Sequence, residues 1–121
     1  MALLSDKRFS FSLVTGHSKG NLVISEALYE LKKLPAIEQA IPGDKFWIVT
    51  LSAAVAMPPR YRKIIDVMGT IDGFGALNST PGIPIEKPYP LRWHHTNTDL
   101  PFHLPVTKVF EELRAERNVT I

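Results

Sequence analysis

The chain has 121 residues, 45% hydrophobic and 21% charged, with a formal net charge of +2 and no cysteine. That length suits one domain with a real core, and the composition excludes a disordered tail, a disulfide framework and a thiolate metal site. So small a charge leaves no footprint for nucleic acid or an anionic membrane surface, and no apolar run of about 18 residues is present to form a transmembrane segment; a soluble, cytoplasmic chain is expected.

In chain order, Phe9 to Thr15 (FSFSLVT) alternates apolar and hydroxyl residues and predicts a strand. Gly16 to Gly20 is a turn. From Asn21 the period changes: Leu22, Val23, Ala27, Leu28, Leu31 and Leu34 recur at helical spacing, with Glu26, Glu30, Lys32 and Lys33 between them. Pro35 ends this helix. A connection with the turn signal Pro42-Gly43-Asp44 leads to Phe46–Leu51 (FWIVTL), a continuous apolar run of the kind that forms a parallel strand buried on both faces.

Ser52–Met57 and Pro58-Pro59 follow as a short crossover, and then a third strand over Tyr61–Met68. The basic cluster Arg60-Tyr61-Arg62-Lys63 reads as a solvated end rather than a binding patch. Gly69–Pro90 is rich in Gly, Pro, Asn and Thr and reads as a long loop; Leu91–His95 reads as a short fourth strand. Leu104–Arg117 is a final amphipathic helix with Val106, Val109, Phe110 and Leu113 as its buried stripe and Pro105 in its first turn. The expected fold class is α/β: one domain, with a mainly parallel sheet of about four strands flanked by helices.

The chemistry is concentrated in the turn Gly16-His17-Ser18-Lys19-Gly20, between an apolar strand and an amphipathic helix. Gly-x-Ser-x-Gly in that context resembles the nucleophile elbow of the alpha/beta hydrolases, and the chain from Phe9 to about Arg117 resembles the C-terminal half of a class-three lipase. A serine on a tight strand-to-helix turn projects its hydroxyl into the cleft at the strand's carboxyl end. Gly16 and Gly20 are expected to be small because side chains there would strike the adjoining strand or helix. An ordinary Gly-rich turn with an idle serine would have the same composition. No lysine followed by Ser or Thr comes after Gly20, so a phosphate loop is not indicated.

The resemblance implies a Ser-Asp-His triad in that chain order, with Ser18 as nucleophile and the Lys19 amide as an oxyanion donor. Asp72, just past the third strand, is the preferred acid; Asp66, within the strand, is its rival. The preferred base is His103, in the loop before the last helix, with His95 and then His94 as alternatives; Asp99 lies four residues before His103. His17 is expected to pack beneath the turn. No metal or organic cofactor is implied, and the substrate would be a small-molecule or lipid ester. Asn21 departs from the lipase pattern, which has another glycine there.

Several strands precede the elbow in the hydrolases, whereas only Met1 to Arg8 precede the serine strand here. The resemblance therefore implies a missing N-terminal half, or a homo-oligomer that pairs through an exposed serine strand. A non-catalytic, truncated hydrolase-like module that associates through the same strand is the alternative to an esterase.

Overall fold

The computed structural model describes residues 12–41, 43, 46–70, 72–77, 79–83, 85 and 87–119. Expectations resting on Phe9, Phe11, Pro42, Asp44 and the segment 1–8 lie outside these. Four strands, β1 (Leu13–His17), β2 (Trp47–Leu51), β3 (Ile64–Gly69) and β4 (Lys87–Tyr89), form one sheet in the order β1-β2-β3-β4. Every neighbouring pair is parallel. Four helices, α1 (Gly20–Glu30), α2 (Pro35–Ala40), α3 (Gly73–Leu77) and α4 (Val106–Arg117), fill the connections, and a 3-10 turn over Leu31–Lys33 joins α1 to α2. The fold is α/β, as the alternation of apolar runs and helical stripes requires. No helix among the described residues is long and apolar enough to cross a membrane.

Both faces of the sheet are covered, which explains why β2 and β3 read as unbroken apolar runs. Val49, Leu51, Ile65 and Val67 pack with Leu104, Val109 and Leu113 on the α4 side. Ile48 and Phe46 pack with Leu28, Leu31, Met57 and Tyr61 on the α1 side, where α2 contributes Ile37. Full burial of each such side chain stabilises the fold by about 1.5–3 kcal/mol. On α4, Val109 and Leu113 are buried and Val106 and Phe110 pack against them, so the expected stripe is the one used. Asn118 ends α4 in the left-handed region (φ 56°), and Val119 folds back into the core.

Three expectations need correction. Leu22 and Val23 do not face the sheet; Val23 is 66% exposed. The inward stripe of α1 is instead Asn21, Ser25 and Leu28, with Ile24 partly buried beside them. The reason lies in the crossover from β2 to β3, which contains no helix and runs beneath α1. Its carbonyls, and that of Leu51 at the end of β2, face α1 and are met by side-chain donors. Asn21 Nδ2 donates to the Leu51 and Ala53 carbonyls, both at 3.1 Å, and Ser25 Oγ to the Ala56 carbonyl at 2.6 Å. Polar residues therefore occupy the position where spacing alone predicts leucines.

The second correction concerns the connection after Pro35. The first helical run stops before that proline, at a non-helical Leu34 (φ −127°), but the residues beyond form a helix of their own, α2, which Pro35 opens because its missing N–H is no loss there. The third concerns the fourth strand, which is Lys87–Tyr89 and not Leu91–His95, so the expected loop holds both α3 and β4. Pro88 is tolerated because, among the described residues, β4 is an edge with one partner. Pro90 and a left-handed Leu91 (φ 56°) then carry the chain out of the sheet. β1 is the other edge among the described residues.

The basic cluster is absorbed structurally: Arg60 Nη1 donates to the Glu38 carbonyl at 2.7 Å, and the Lys63 ammonium lies 4.7 Å from the Trp47 ring centre.

Polar contacts tie the β4 edge to α4. Tyr89 Oη donates to Glu112 Oε2 at 2.5 Å, and Lys87 Nζ lies 3.0 Å from Glu116 and 3.3 Å from Glu112. The Tyr89 hydrogen bond holds the Glu112 carboxyl below its ordinary value of 4.5, burial opposes it, and Lys87 adds to the lowering. A lowered folded-state value stabilises the fold above the unfolded value, and that contribution is lost as pH falls. The thermal midpoint, followed by circular dichroism, is therefore expected to drop below about pH 4.5, and Glu112→Gln to flatten that acid limb.

Candidate functional site

The carboxyl ends of β1 and β2 lie level, with His17 paired to Leu51, and β3 runs on from Val67, the partner of Leu51, to Gly69, which pairs with Tyr89 at the end of β4. Past each end, the next N–H bonds the neighbouring strand: Ser18 N to the Leu51 carbonyl (2.8 Å), Ser52 N to Val67 (2.8 Å) and Thr70 N to Tyr89 (2.9 Å). Ligands of open α/β sheets bind at such an edge, and the candidate residues gather there.

Ser18 is half-buried and has φ 55°, in the left-handed region that a side chain enters only under strain. The turn closes through Asn21 N to the Ser18 carbonyl and Leu22 N to the Lys19 carbonyl, both at 3.1 Å. The Lys19 and Gly20 amides lie at the start of α1, where a helix leaves its N–H groups without internal acceptors.

Gly16 is small for the reason expected: a Cβ there would lie 2.6 Å from Asn21 Oδ1 and 2.7 Å from Ile24 Cδ1. Gly20 is not; a Cβ would meet nothing within 4 Å, because the first residue of α1 faces open space. Asn21 stands against Gly16 while its amide holds the Leu51 and Ala53 carbonyls.

Asp72 lies three residues past the end of β3, with its side chain fully buried. Its Oδ1 accepts the Gly75 N–H at 2.5 Å at the start of α3. The same carboxylate meets His94: Nδ1 lies 2.9 Å from Oδ1 and 3.0 Å from Oδ2. An ionised carboxylate only accepts, so in this contact the proton belongs to His94 Nδ1, and in that tautomer Nε2 is the nitrogen left to accept. The rival Asp66 remains within β3, where it accepts a hydrogen bond from Thr50, its register partner on β2.

Of the three histidines it is His94, and not the preferred His103, whose ring meets Asp72. His103 lies on the return leg of the loop, where its Nδ1 is 3.2 Å from the Leu100 carbonyl and its side chain lines a shallow groove with Thr96, Thr98 and Lys108. The loop is cross-tied by Trp93 N to the Phe102 carbonyl (2.6 Å) and Leu104 N to the His95 carbonyl (2.9 Å). These bonds hold residues 93–95 near the sheet edge and leave His103 on the opposite leg. The His95 ring keeps its Nδ1 buried without a partner. The Asp99 amide bonds Asn97 Oδ1 at 3.0 Å in a local turn.

His17 does not pack beneath the turn. It is exposed, its ring centre lies 5.1 Å from that of His94, and its Nε2 donates to the His94 carbonyl at 2.8 Å. His94 thus sits against the residue next to Ser18, although no hydrogen bond joins its ring to the Ser18 hydroxyl. Phe74 closes another side of the ring, with centres 5.9 Å apart, and Trp93 stands edge-on to Phe74 at 5.6 Å. Phe74 is 56% exposed, which leaves an apolar surface beside the imidazole. Among the described residues, no three His, Asp or Glu side chains converge as metal ligands.

The structure thus brings together Asp72, His94, His17 and the Ser18–Lys19 turn, and separates His103 and Asp66 from them. The sequence carried one signal for His94 that spacing did not exploit. Pro90 ends the fourth strand early and turns residues 91–95 into a loop at the carboxyl edge.

No family model, curated protein or solved structure matches the chain.

The approach of His94 to Asp72 depends on Gly69. A Cβ at residue 69 would lie 2.1 Å from the Arg92 carbonyl oxygen, a backbone atom that cannot give way without shifting the loop. Gly69→Ala is expected to destabilise the fold by about 1–3 kcal/mol through overpacking. It should also remove the Nδ1–H signature of His94 from ring-nitrogen NMR spectra. Retention of both would show that the loop passes over β3 without needing this gap.

Proposed function

We propose that the protein is a serine hydrolase acting on ester bonds, with Ser18, His94 and Asp72 as its triad. The observation that carries this reading is the His94–Asp72 pair. A buried carboxylate fixes one imidazole nitrogen, at the same sheet edge as a serine with φ 55° in a Gly-x-Ser-x-Gly turn. The residues follow in the order serine, acid, histidine, as in the alpha/beta hydrolases that the elbow resembles.

Each group then has a task. Ser18 Oγ attacks the acyl carbonyl while His94 Nε2 takes its proton; the protonated ring later gives that proton to the leaving alcohol. Asp72 holds the ring in the Nδ1–H tautomer and stabilises the imidazolium. The Lys19 amide, at the helix start, is oriented toward developing negative charge on the acyl oxygen, and one such donor is worth roughly 10²–10³ in rate. Water then releases the acyl group by the same steps. Phe74 and Trp93 offer an apolar contact for the acyl chain of a small-molecule or lipid ester.

A second reading, a non-catalytic module with the same turn, is favoured by the missing bond between the Ser18 hydroxyl and His94. Turnover separates the two, since catalytic contacts of this kind often tighten only around substrate.

An organophosphonate serine probe is expected to label the wild-type chain and not Ser18→Ala. On a short-chain chromogenic ester, His94→Ala should lower kcat by roughly 10²–10⁴, and His103→Ala should leave it unchanged. A folded wild-type sample that is neither labelled nor active would remove the hydrolase reading in favour of the module.

A further inference from the structure

The His94 backbone is held as deliberately as its ring. Its carbonyl oxygen accepts two side-chain hydrogen bonds, from His17 Nε2 at 2.8 Å and from Ser52 Oγ at 3.0 Å. The donors come from different strands. His17 is the last residue of β1, next to Ser18, and Ser52 is the first residue past β2. Ser52 is fully buried and has φ 61°, a second left-handed, non-glycine residue at the same sheet edge. Strain of this kind persists where surroundings over-determine it. At Ser52 the surroundings are its N–H bond to Val67 and its hydroxyl bond to the His94 carbonyl.

We propose that His17 and Ser52 are positioning residues that clamp the His94 carbonyl and thereby fix the imidazole between Asp72 and the elbow. This deepens the hydrolase reading and rests on it for its catalytic consequence, but the clamp itself concerns only where the ring sits. Residues 91–95 belong to no strand, and their ties to the sheet include Leu91 N to Thr70 Oγ1 at 2.8 Å, at the far end of the segment. Without the two side-chain donors, nothing at the His94 carbonyl opposes rotation of the residue. With them, the chain that carries the base is bonded to the residue adjoining the nucleophile, so base and serine move as one unit. The His17 ring, 5.1 Å from that of His94, also limits sideways motion.

Long-range nitrogen–proton NMR of the imidazole rings reports the His94 tautomer without any substrate. Wild type should be wholly Nδ1–H. His17→Ala and Ser52→Ala each leave one donor and should shift the tautomer little, whereas the double variant leaves the carbonyl unpaired and should give a mixture. His17→Gln, which retains a donor at similar reach, should stay at the wild-type tautomer in an otherwise native chain and should restore it beside Ser52→Ala. If the double variant does not fold, Ser52→Gly, which removes the hydroxyl and suits φ 61°, takes the place of Ser52→Ala: the mixture is expected in His17→Ala with Ser52→Gly and not in His17→Gln with Ser52→Gly.

A His94 ring that stays wholly Nδ1–H once both donors are gone, or in both members of the fallback pair, would overturn the clamp. In an active protein, each single variant should lower kcat roughly threefold to tenfold with KM unchanged. A wild type that cleaves no ester removes the hydrolase reading and leaves the tautomer to decide the clamp.

Discussion

One carbonyl at the end of β2 organises the site. The Leu51 oxygen accepts the Ser18 N–H and the Asn21 side-chain amide together. The first bond continues the β1–β2 ladder one residue past the strand and holds Ser18 in the left-handed region. The second sets the rotation of α1 about its axis, because Asn21 must face the sheet edge to reach Leu51 and Ala53. Three consequences follow. Gly16 must lack a side chain, since Asn21 and Ile24 occupy the space of a Cβ. The polar stripe Asn21–Ser25 is buried along the crossover, and Leu22 and Val23 are left outside. A single acceptor thereby couples the backbone strain at the serine to the packing of the first helix.

A second close approach completes the site from the other side. The chain after β4 passes over Gly69 with so little room that the Arg92 carbonyl occupies the space of a Cβ. That passage delivers His94 to Asp72, whose carboxylate is held by the Gly75 amide. Gly75 is itself bare for the same kind of reason: a Cβ there would lie 2.5 Å from Asp72 Oδ2 and from the Ser52 carbonyl. The segments after β1, β2, β3 and β4 thus converge on a few ångströms of sheet edge. Ser52 joins this convergence from the second of them, through a hydroxyl that donates to the His94 carbonyl oxygen.

Much of the fold was legible because its signals are local. FWIVTL and the Lys63–Met68 run are apolar at strand length, and burial on both faces of a parallel sheet demands that. The α4 stripe has helical spacing, and tertiary packing uses it unchanged. The Gly-x-Ser-x-Gly turn was legible because the backbone strain at Ser18 follows from the sharp strand-to-helix reversal. Asp72 was legible as a candidate for the sheet edge because it falls just past a strand end.

The histidine that meets Asp72 was not legible. His94, His95 and His103 are equivalent by spacing, and only the loop's cross-ties at Trp93–Phe102 and His95–Leu104 decide which ring meets Asp72. The inward face of α1 was misread for a related reason: apolar periodicity cannot register the Ala53 and Ala56 carbonyls of the crossover, which Asn21 and Ser25 meet only in the folded chain. The sequence by itself determined the α/β class, the turn that carries Ser18 and the place of Asp72 beyond β3, since each depends on neighbours within a few residues. Only the tertiary structure decided which histidine meets Asp72, which face of the first helix is buried and what the His94 carbonyl is bonded to. Those choices rest on hydrogen bonds between segments that meet only when the sheet is assembled.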